Sequence, residues 1–265
     1  MLPRIDLELA RRSIVKGLRS YTFDKARKKG GVLGVSGGVD SAVVALLASE
    51  ALGSENLHLL ILPSESTPRE DIKDALLVAE KAGVDRRNIE IVDIEPILVC
   101  FDKALGSMAA IERGNLAARV RMSILHQRAY RYDSLVIGTG DRSEILIGYF
   151  TKYGDGGVDV LPIGGLYKTY VRQMALHLGL PEKIALKPSS PRLWPEHEAE
   201  KELGLSYEVI DEILYWLFDV KAEPSDVSRL TGISENIVKR VLEMHQKSEH
   251  KRVPPPIIVP SIRYL

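Results

Sequence analysis

The sequence of 265 residues contains one cysteine, no long apolar run and no net charge. Cys100 has no second cysteine to pair with, which excludes a cysteine-rich secreted scaffold. No apolar run approaches the roughly 18 residues of a membrane helix, and residues 1–12 mix both charge signs, unlike a signal peptide. Lys plus Arg and Asp plus Glu each total 36, so the overall charge favours neither nucleic acid nor anionic membranes. We therefore expect a cytoplasmic protein without nucleic-acid or membrane partners.

Short apolar segments alternate with helical patterns in the first half of the chain. Apolar runs predict strands at residues 32–35, 57–62, 89–93 and 134–138. Apolar spacing predicts helices at residues 6–29, 42–52, 69–82 and 110–131. This alternation indicates an α/β fold, an open parallel sheet with helices on both faces. Strand patterns fade from residue 161 onward, so we expect a single domain over residues 1–265 with a helical C-terminal portion, residues 200–265.

A Gly-Ser segment, residues 34–41, follows the first predicted strand. Ligands bind outside the carboxyl ends of strands in an open parallel sheet. Gly37 and Gly38 let the backbone turn sharply and approach a ligand, and the following helix offers N–H groups to an anion. Asp40 is unfavourable beside phosphate unless a cation lies between them, so it is a candidate Mg²⁺ ligand. The alternative is an ordinary strand-to-helix turn with Asp40 as a helix cap.

The run Ser-Gly-Gly-Val-Asp-Ser at residues 36–41 resembles the pyrophosphate-binding loop of the ATP pyrophosphatase superfamily. Members of this superfamily split ATP between the α and β phosphates and release AMP and pyrophosphate. The resemblance implies an adenine-nucleotide alpha-hydrolase-like fold. It leaves the second substrate open, because the loop concerns only how ATP is split.

A second segment, residues 138–144, follows the fourth predicted strand and contains Thr139 and Glu144. Adjacent parallel strands would bring Glu144 toward Asp40, so that two carboxylates could share Mg²⁺. The alternative is that Glu144 is merely an acid in the first turn of a helix, where the helix dipole favours it.

A third segment, residues 148–163, places Lys152, Asp155 and Asp159 among glycines, which argues against a regular helix. The alternative is a surface loop with scattered charges. Lys168 follows at the start of a predicted helix, where the dipole disfavours a cation. This position indicates that Lys168 contacts an anion.

Together these segments are similar to the NAD synthetase family from about residue 30 to residue 253. The matching stretches are residues 114–122, 138–144, 148–159, 161–168, 203–207 and 249–252. The most specific of them is Tyr-Phe-Thr-Lys-Tyr-Gly-Asp-Gly-Gly at residues 149–157. The resemblance implies a carbon–nitrogen ligase that turns deamido-NAD into NAD through an adenylate, with ATP as co-substrate, as the last step of NAD biosynthesis.

The resemblance also implies roles for individual residues. ATP contacts would come from Gly34, Val35, Ser36, Gly37, Gly38, Val39, Asp40, Ser41, Thr139, Lys168 and Ser190. Deamido-NAD contacts would come from Arg119, Lys152, Asp159, His250 and Lys251. Asp40 and Glu144 would bind Mg²⁺. Asp155 and Lys168 would take part in catalysis, with Asp155 near the ammonia, where it could bind ammonium and help to release its proton.

Family members are homodimers with the dinucleotide site at the subunit interface, where a long helix corresponding to residues 110–131 contributes. Glutamine-using relatives carry an additional amidotransferase domain with a nucleophilic cysteine. We expect no glutaminase domain here, because 265 residues leave no room for one. Ammonia, either free or delivered by a separate subunit, is then the expected nitrogen source.

Two segments depart from the family pattern. Asp141 and Arg142 stand where Asn-Lys is expected, which keeps one cation and adds an acid. The residues after Ser190 also differ, and we expect this segment to fold over the active site. For Arg192 and His197 in it, exposed loop charges are the favoured prediction, and compensating substrate contacts are the alternative.

Two other functions have weaker support in the sequence. Residues 225–242 resemble a helix-turn-helix DNA-binding module, but the presumed second helix offers only Lys239 and Arg240, and Gly-linked helix pairs are common packing units. Another superfamily ligase, for tRNA modification or sulfur transfer, would usually bring cysteine pairs or an RNA-binding extension.

Overall fold

The computed structural model describes residues 2–190 and 197–262. Its centre is a four-stranded parallel sheet in the order β3-β2-β1-β4. The strands are β1 (Gly30–Gly34), β2 (Leu57–Ile61), β3 (Ile89–Ile91) and β4 (Ser134–Ile137). All four predicted strands are therefore confirmed, with ends that differ by a few residues. The parallel pairing confirms the predicted α/β class.

Thirteen α-helices surround and extend this sheet in the described ranges of the chain. They are α1 (Leu7–Ser20), α2 (Val39–Leu52), α3 (Arg69–Lys81), α4 (Glu95–Leu105), α5 (Ala110–Tyr132), α6 (Arg142–Ile147), α7 (Lys168–His177), α8 (Glu182–Ala185), α9 (Ala199–Leu203), α10 (Tyr207–Leu214), α11 (Pro224–Thr231), α12 (Glu235–Lys247) and α13 (Glu249–Arg252). None of these helices combines the length and apolar content needed to span a membrane.

The sheet has an apolar core on each face, because successive side chains of a strand point in opposite directions. Leu33 of β1 belongs to one core cluster, which also contains residues of α2, α7 and α10. Its neighbour Val32 belongs to the core cluster on the other side, which also contains residues of α4 and α5. Both residues are completely buried. The prediction of helices on both faces is confirmed.

The order of the strands in the sheet determines where the candidate functional site lies. The chain runs from β1 to β2 and β3 on one side, and then returns to β4 on the other side of β1. The carboxyl ends of β1 and β4 therefore lie beside each other at the point where the order of strands reverses, which is where open α/β sheets bind ligands. This arrangement brings the segments after β1 and β4 together.

Two predicted helix ends were wrong. The first α-helix ends at Ser20 and is followed by a π-helical turn, Tyr21–Lys25. Arg27, with a positive φ of 54°, then departs from the helical conformation, before the predicted end at residue 29. The second helix begins at Val39, three residues before the predicted start at Ala42. Extended Gly38, with a ψ of 164°, is its cap. Asp40 and Ser41 therefore lie in the first turn of α2.

The helix pair α11–α12 covers the segment that resembled a DNA-binding module. Val227 and Val241 are completely buried in the main core. His245 Nδ1 donates a hydrogen bond at 2.8 Å to the carbonyl oxygen of Leu146 in α6. Lys239 forms an ion pair with Glu235 of its own helix. These contacts give the pair a packing role against α6.

Candidate active site

The loop between β1 and α2 is held by hydrogen bonds between its own two serines. The hydroxyl groups of Ser36 and Ser41 are 3.1 Å apart, and Ser41 also donates to the carbonyl oxygen of Gly38 at 3.1 Å. The amide N–H of Gly38 donates to Ser36 Oγ at 3.3 Å. This loop, residues 34–41, is called the phosphate loop below, since its geometry suits an anion at the start of α2.

Gly37 of the phosphate loop lies against the first turn of α3. Its φ is +80°, and a Cβ atom there would lie 2.2 Å from the carbonyl oxygen of Asp71. Both the conformation and the close approach exclude a side chain. The phosphate loop therefore packs directly on the α3 backbone.

Replacement of Gly37 by alanine should lower the free energy of unfolding by about 1–3 kcal/mol, because a non-glycine residue is strained at positive φ, and the loop must also move away from Asp71. Chemical denaturation measures this change. Gly17→Ala is the matched control: Gly17 lies inside α1, where an added Cβ meets nothing within 4 Å. It should stabilise the protein by about 0.5–1 kcal/mol. Equal effects of the two substitutions would contradict the prediction.

A buried lysine joins the ends of β1 and β4. Lys168 Nζ lies 2.7 Å from Asp40 Oδ1, 2.9 Å from Asp141 Oδ2 and 2.9 Å from Glu144 Oε1. The side chains of Lys168 and Asp141 are fully buried, while Asp40 and Glu144 keep 21% and 20% exposure. The prediction that Glu144 lies near Asp40 is confirmed, and a cation already lies between them.

Electrostatics in this cluster favour a permanently charged lysine. Burial alone would lower the pKa of Lys168, but three carboxylates outweigh it and raise this pKa well above its ordinary value. Burial raises the pKa of Asp141 to about 6, against the attraction of Lys168. Burial likewise raises the pKa of Glu144 well above the usual range. One ammonium group is paired with three carboxyl groups, so the charge balance of the cluster favours the binding of a further cation.

The start of α6 fixes two of these carboxylates. Asp141 caps the helix, and its Oδ1 accepts a hydrogen bond from the Glu144 amide at 2.8 Å. Glu144 Oε2 accepts one from the Asp141 amide at 3.4 Å. Sequence analysis noted Asp141 only as a departure from the family pattern. Its role is visible in the structure, because Lys168 is distant in sequence.

Asp211 of α10 holds the backbone around Lys168. The Lys168 amide donates to Ser143 Oγ at 2.9 Å, and Ser143 Oγ in turn donates to Asp211. Asp211 Oδ2 also accepts from the amide and the hydroxyl of Thr169, at 2.8 and 2.7 Å. Burial raises the pKa of Asp211 despite these bonds. The ring of buried Tyr207 lies 5.2 Å from Lys168 Nζ.

A second carboxylate site lies in the loop after α6. Asp155 Oδ1 accepts a hydrogen bond from the Thr151 amide at 2.9 Å, and the Thr151 hydroxyl donates to Asn115 of α5 at 2.6 Å. Lys251 of α13 donates to the carbonyl oxygens of Gly148 and Phe150, both at 2.8 Å. Asp155 is reached by solvent from the cleft, but surrounding protein still raises its pKa.

These elements enclose a cleft of about 460 Å³. The predicted site residues that line it are Gly34, Val35, Ser36, Asp40, Ser41, Thr139, Glu144, Asp155, Ser190 and Lys251. Asn115 and Arg121 of α5 also line it, and sequence analysis assigned neither of them a role. The cleft volume is within the range of small-molecule sites.

The model of the family described as NAD synthase matches residues 10–255. The chain belongs to the NAD synthase family. The NH3-dependent NAD+ synthetase of Hyperthermus butylicus is 51% identical over 97% of this chain and 92% of its own length. That of Staphylothermus marinus is 49% identical over 98% of this chain and 94% of its own.

Solved structures of similar proteins share this fold. The NH3-dependent NAD synthetase of Campylobacter jejuni, 31% identical, has a TM-score of 0.80 and covers 96% of this chain and 100% of its own. The NMN synthetase of Francisella tularensis, 30% identical, has a TM-score of 0.82, with coverage of 98% and 100%. Membership of the NAD synthase family therefore rests on sequence and fold alike.

Several residues to which the NAD synthase family resemblance assigned dinucleotide contacts lie around the cleft rather than in its described lining. Arg119 is exposed on α5. Lys152 Nζ donates to the carbonyl oxygen of His250, which links the loop after α6 to α13. Asp159 Oδ2 accepts from the Val136 amide at 2.7 Å and so holds this loop against β4. Their contact with a dinucleotide stays a prediction.

The donor set suits Mg²⁺ shared with phosphates. Within residues 2–190 and 197–262, no group of three or more His, Cys, Asp or Glu could hold a metal ion by itself. Asp40 and Glu144 nevertheless converge on one ammonium group, which marks the place between them as favourable for a cation. Mg²⁺ is usually bound by one or two carboxylates together with substrate phosphates, and these two residues fit that pattern.

One expectation for the segment after Ser190 was wrong. His197 is buried, with 2% exposure, rather than an exposed loop charge. Its Nε2 lies 2.8 Å from Glu202 Oε2, to which the Tyr149 hydroxyl also donates. Ser190 Oγ donates to the carbonyl oxygen of His197. The prediction for Arg192 falls in residues 191–196, outside the described residues.

Proposed function

We propose that this protein converts nicotinic acid adenine dinucleotide and ammonia into NAD, splitting ATP to AMP and pyrophosphate through an adenylate. One observation carries the proposal: the phosphate loop, Glu144 and Asp155 line a single cleft. Buried Lys168 binds the carboxylates of Asp40 and Glu144 from within the protein. Adenylation and amide formation need these two sites close to each other, since the activated carboxyl must meet ammonia before water.

The first step would form the adenylate. An oxygen of the nicotinate carboxylate attacks the α-phosphorus, and the bond to the departing pyrophosphate breaks. Two anions approach each other, so nearby positive charge lowers the barrier. Lys168 supplies one fixed charge, and its three carboxylate partners hold it in place.

Asp40 and Glu144 would hold Mg²⁺ together with the ATP phosphates. The bound ion would neutralise phosphate charge during this step. The phosphate loop would hold the pyrophosphate part of ATP through its backbone N–H groups and its serine hydroxyls. Ser36 and Ser41 are arranged for this role by their mutual hydrogen bond.

The second step would form the amide. Ammonia attacks the acyl carbon of the adenylate, a carbon–nitrogen bond forms, and the carbon–oxygen bond to AMP breaks. Ammonia is mostly protonated near neutral pH, so a carboxylate that binds ammonium and accepts its proton favours the reaction. Asp155 lies in the cleft and is positioned by the Thr151 amide.

We also propose that the protein acts as a homodimer. Helices α4 and α5 pack against each other and expose the apolar side chains of Ile97, Val99, Phe101, Leu105 and Ile111. Exposed apolar groups of this kind mark protein–protein contacts, and α5 is the helix that sequence analysis assigned to the interface. Light scattering after size-exclusion chromatography measures the mass of the particle in solution, which should equal that of two chains.

Purified protein incubated with ATP, Mg²⁺, the dinucleotide acid and ammonium should form NAD, AMP and pyrophosphate in equal amounts. Glutamine in place of ammonium should give little product, and removal of Mg²⁺ with a chelator should stop the reaction. Nicotinic acid mononucleotide tests the alternative suggested by the Francisella tularensis neighbour, which is an NMN synthetase. Formation of ADP, or a preference for the mononucleotide, would contradict the proposal.

A further inference from the structure

Lys187, just beyond α8, forms a charged contact with the phosphate loop. Its Nζ lies 2.7 Å from Asp71 Oδ1 and 2.7 Å from Asp74 Oδ2, both on α3. It also donates a hydrogen bond to the carbonyl oxygen of Gly37 at 3.2 Å. The Lys187 side chain is 16% exposed, and the two carboxylates are 6% and 3% exposed. Three segments of the chain therefore meet at one ammonium.

Asp74 is kept ionised by this arrangement. Burial would raise its pKa, but hydrogen bonds from Lys183 and Lys187 outweigh burial and lower it. The carboxylates in turn hold Lys187 in a fixed position. Such charge-assisted hydrogen bonds are stronger and geometrically stricter than neutral ones. The Gly37 carbonyl thus faces a firmly placed donor.

The orientation of this carbonyl determines that of the next N–H group. A trans peptide is planar, so the Gly37 C=O and the Gly38 N–H point in opposite directions. With the carbonyl held by Lys187, the Gly38 N–H points toward Ser36 Oγ, at 3.3 Å. Gly38 is also the cap of α2. One hydrogen bond therefore orients the peptide at which the anion-binding end of α2 begins.

We propose that Lys187 is a positioning residue for the pyrophosphate part of ATP and acts through the Gly37 carbonyl. It is not among the described residues that line the cleft, so it acts through the phosphate loop and not by contact with substrate. The inference rests on the proposed function, because it assigns ATP phosphates to this loop. It adds a residue that none of the sequence motifs contains.

Lys183 provides a matched control from the same cluster. Its Nζ lies 2.7 Å from Asp74 Oδ1 and 3.7 Å from Glu70 Oε1. Lys183 thus shares a carboxylate partner with Lys187, while the hydrogen bond to Gly37 comes from Lys187. Comparing the two lysines separates the contact with the loop from the ion pairs on α3.

The experiment compares Lys187→Met, Lys187→Arg and Lys183→Met in the full-length enzyme. Lys187→Met should raise the KM for ATP and the inhibition constant of pyrophosphate about tenfold, the scale of one lost charge-assisted hydrogen bond. The inhibition constant of AMP, which lacks the β and γ phosphates, should stay near the wild-type value. Lys187→Arg should recover most of the loss, and Lys183→Met should resemble the wild type.

Equal pyrophosphate inhibition of Lys187→Met and Lys183→Met would overturn the inference, as would an equal loss of AMP and pyrophosphate binding. If Lys187→Met does not fold by circular dichroism, Lys187→Met/Asp74→Asn, which removes one buried carboxylate together with the lysine that pairs with it, replaces it. A raised inhibition constant of pyrophosphate in this double variant supports the inference, and a wild-type constant overturns it. A wild-type protein that forms no NAD would overturn the proposed function, while calorimetry with pyrophosphate and Mg²⁺ would still test Lys187.

Discussion

Replacement of Lys168 by methionine is expected to lower kcat by about 10²- to 10³-fold, the usual loss when one preorganised electrostatic group is removed. It should also lower the free energy of unfolding by about 3–5 kcal/mol, because a buried charge cluster loses its partner. The side chain is fully buried, and Asp40, Asp141 and Glu144 would then repel one another. Steady-state kinetics and chemical denaturation measure the two effects.

A second substitution separates these two roles of Lys168. The substitution Asp141→Asn keeps the helix cap, because Asn and Asp are equally good N-cap residues, but it removes one of the buried carboxyl groups. Lys168→Met/Asp141→Asn should therefore be more stable than Lys168→Met and remain equally inactive. Asp141→Asn alone should fold and retain activity. If the double variant recovers activity together with stability, Lys168 serves the fold and not the chemistry.

Replacement of Asp155 by asparagine is expected to lower kcat/KM for ammonium by about 10²-fold, within the range of one general base. The size and the hydrogen bond from the Thr151 amide are kept, while the negative charge that attracts ammonium is lost. The KM values for ATP and the dinucleotide should change little and serve as internal controls. Turnover measured against ammonium concentration tests this; unchanged kinetics would exclude the role.

The pH dependence of the same variant gives an independent readout. The enclosing protein raises the pKa of Asp155, so its carboxyl group stays protonated to a higher pH than an ordinary aspartate. Only the ionised form binds ammonium, and wild-type activity should therefore fall as pH falls through that raised pKa. Asp155→Asn should lack this acid limb. If the activity of the variant decreases at low pH in the same way as that of the wild type, another group causes the decrease.

The chain segments that predicted the function were local in sequence. The phosphate loop and the segment before Glu144 each follow a strand end, and the glycine-rich run around Asp155 follows α6. The strand and helix patterns predicted a parallel sheet, in which the carboxyl ends of the strands lie at the same edge. The closeness of Asp40 and Glu144 could therefore be predicted without a structure.

Contacts between distant segments could not be predicted in this way. The position of Lys168 at a helix start predicted contact with an anion, but the sequence did not show that this lysine is completely buried among three carboxylates. Asp211 supports it from α10, and no motif marks that aspartate. His197 looked like an exposed loop residue, but Glu202 and Tyr149 enclose it. Burial depends on which helices pack together, and sequence spacing carries no such information.

By itself, the sequence determined the fold class and the closeness of the phosphate loop to Glu144. Those features depend on residues that are near in sequence and on strand ends that a parallel sheet must align. Only the tertiary structure decided how charges are balanced, as in the Lys168 cluster and at Lys187. The energy of an electrostatic pair depends on the distance between the two charges and on the dielectric surroundings. Tertiary packing determines both.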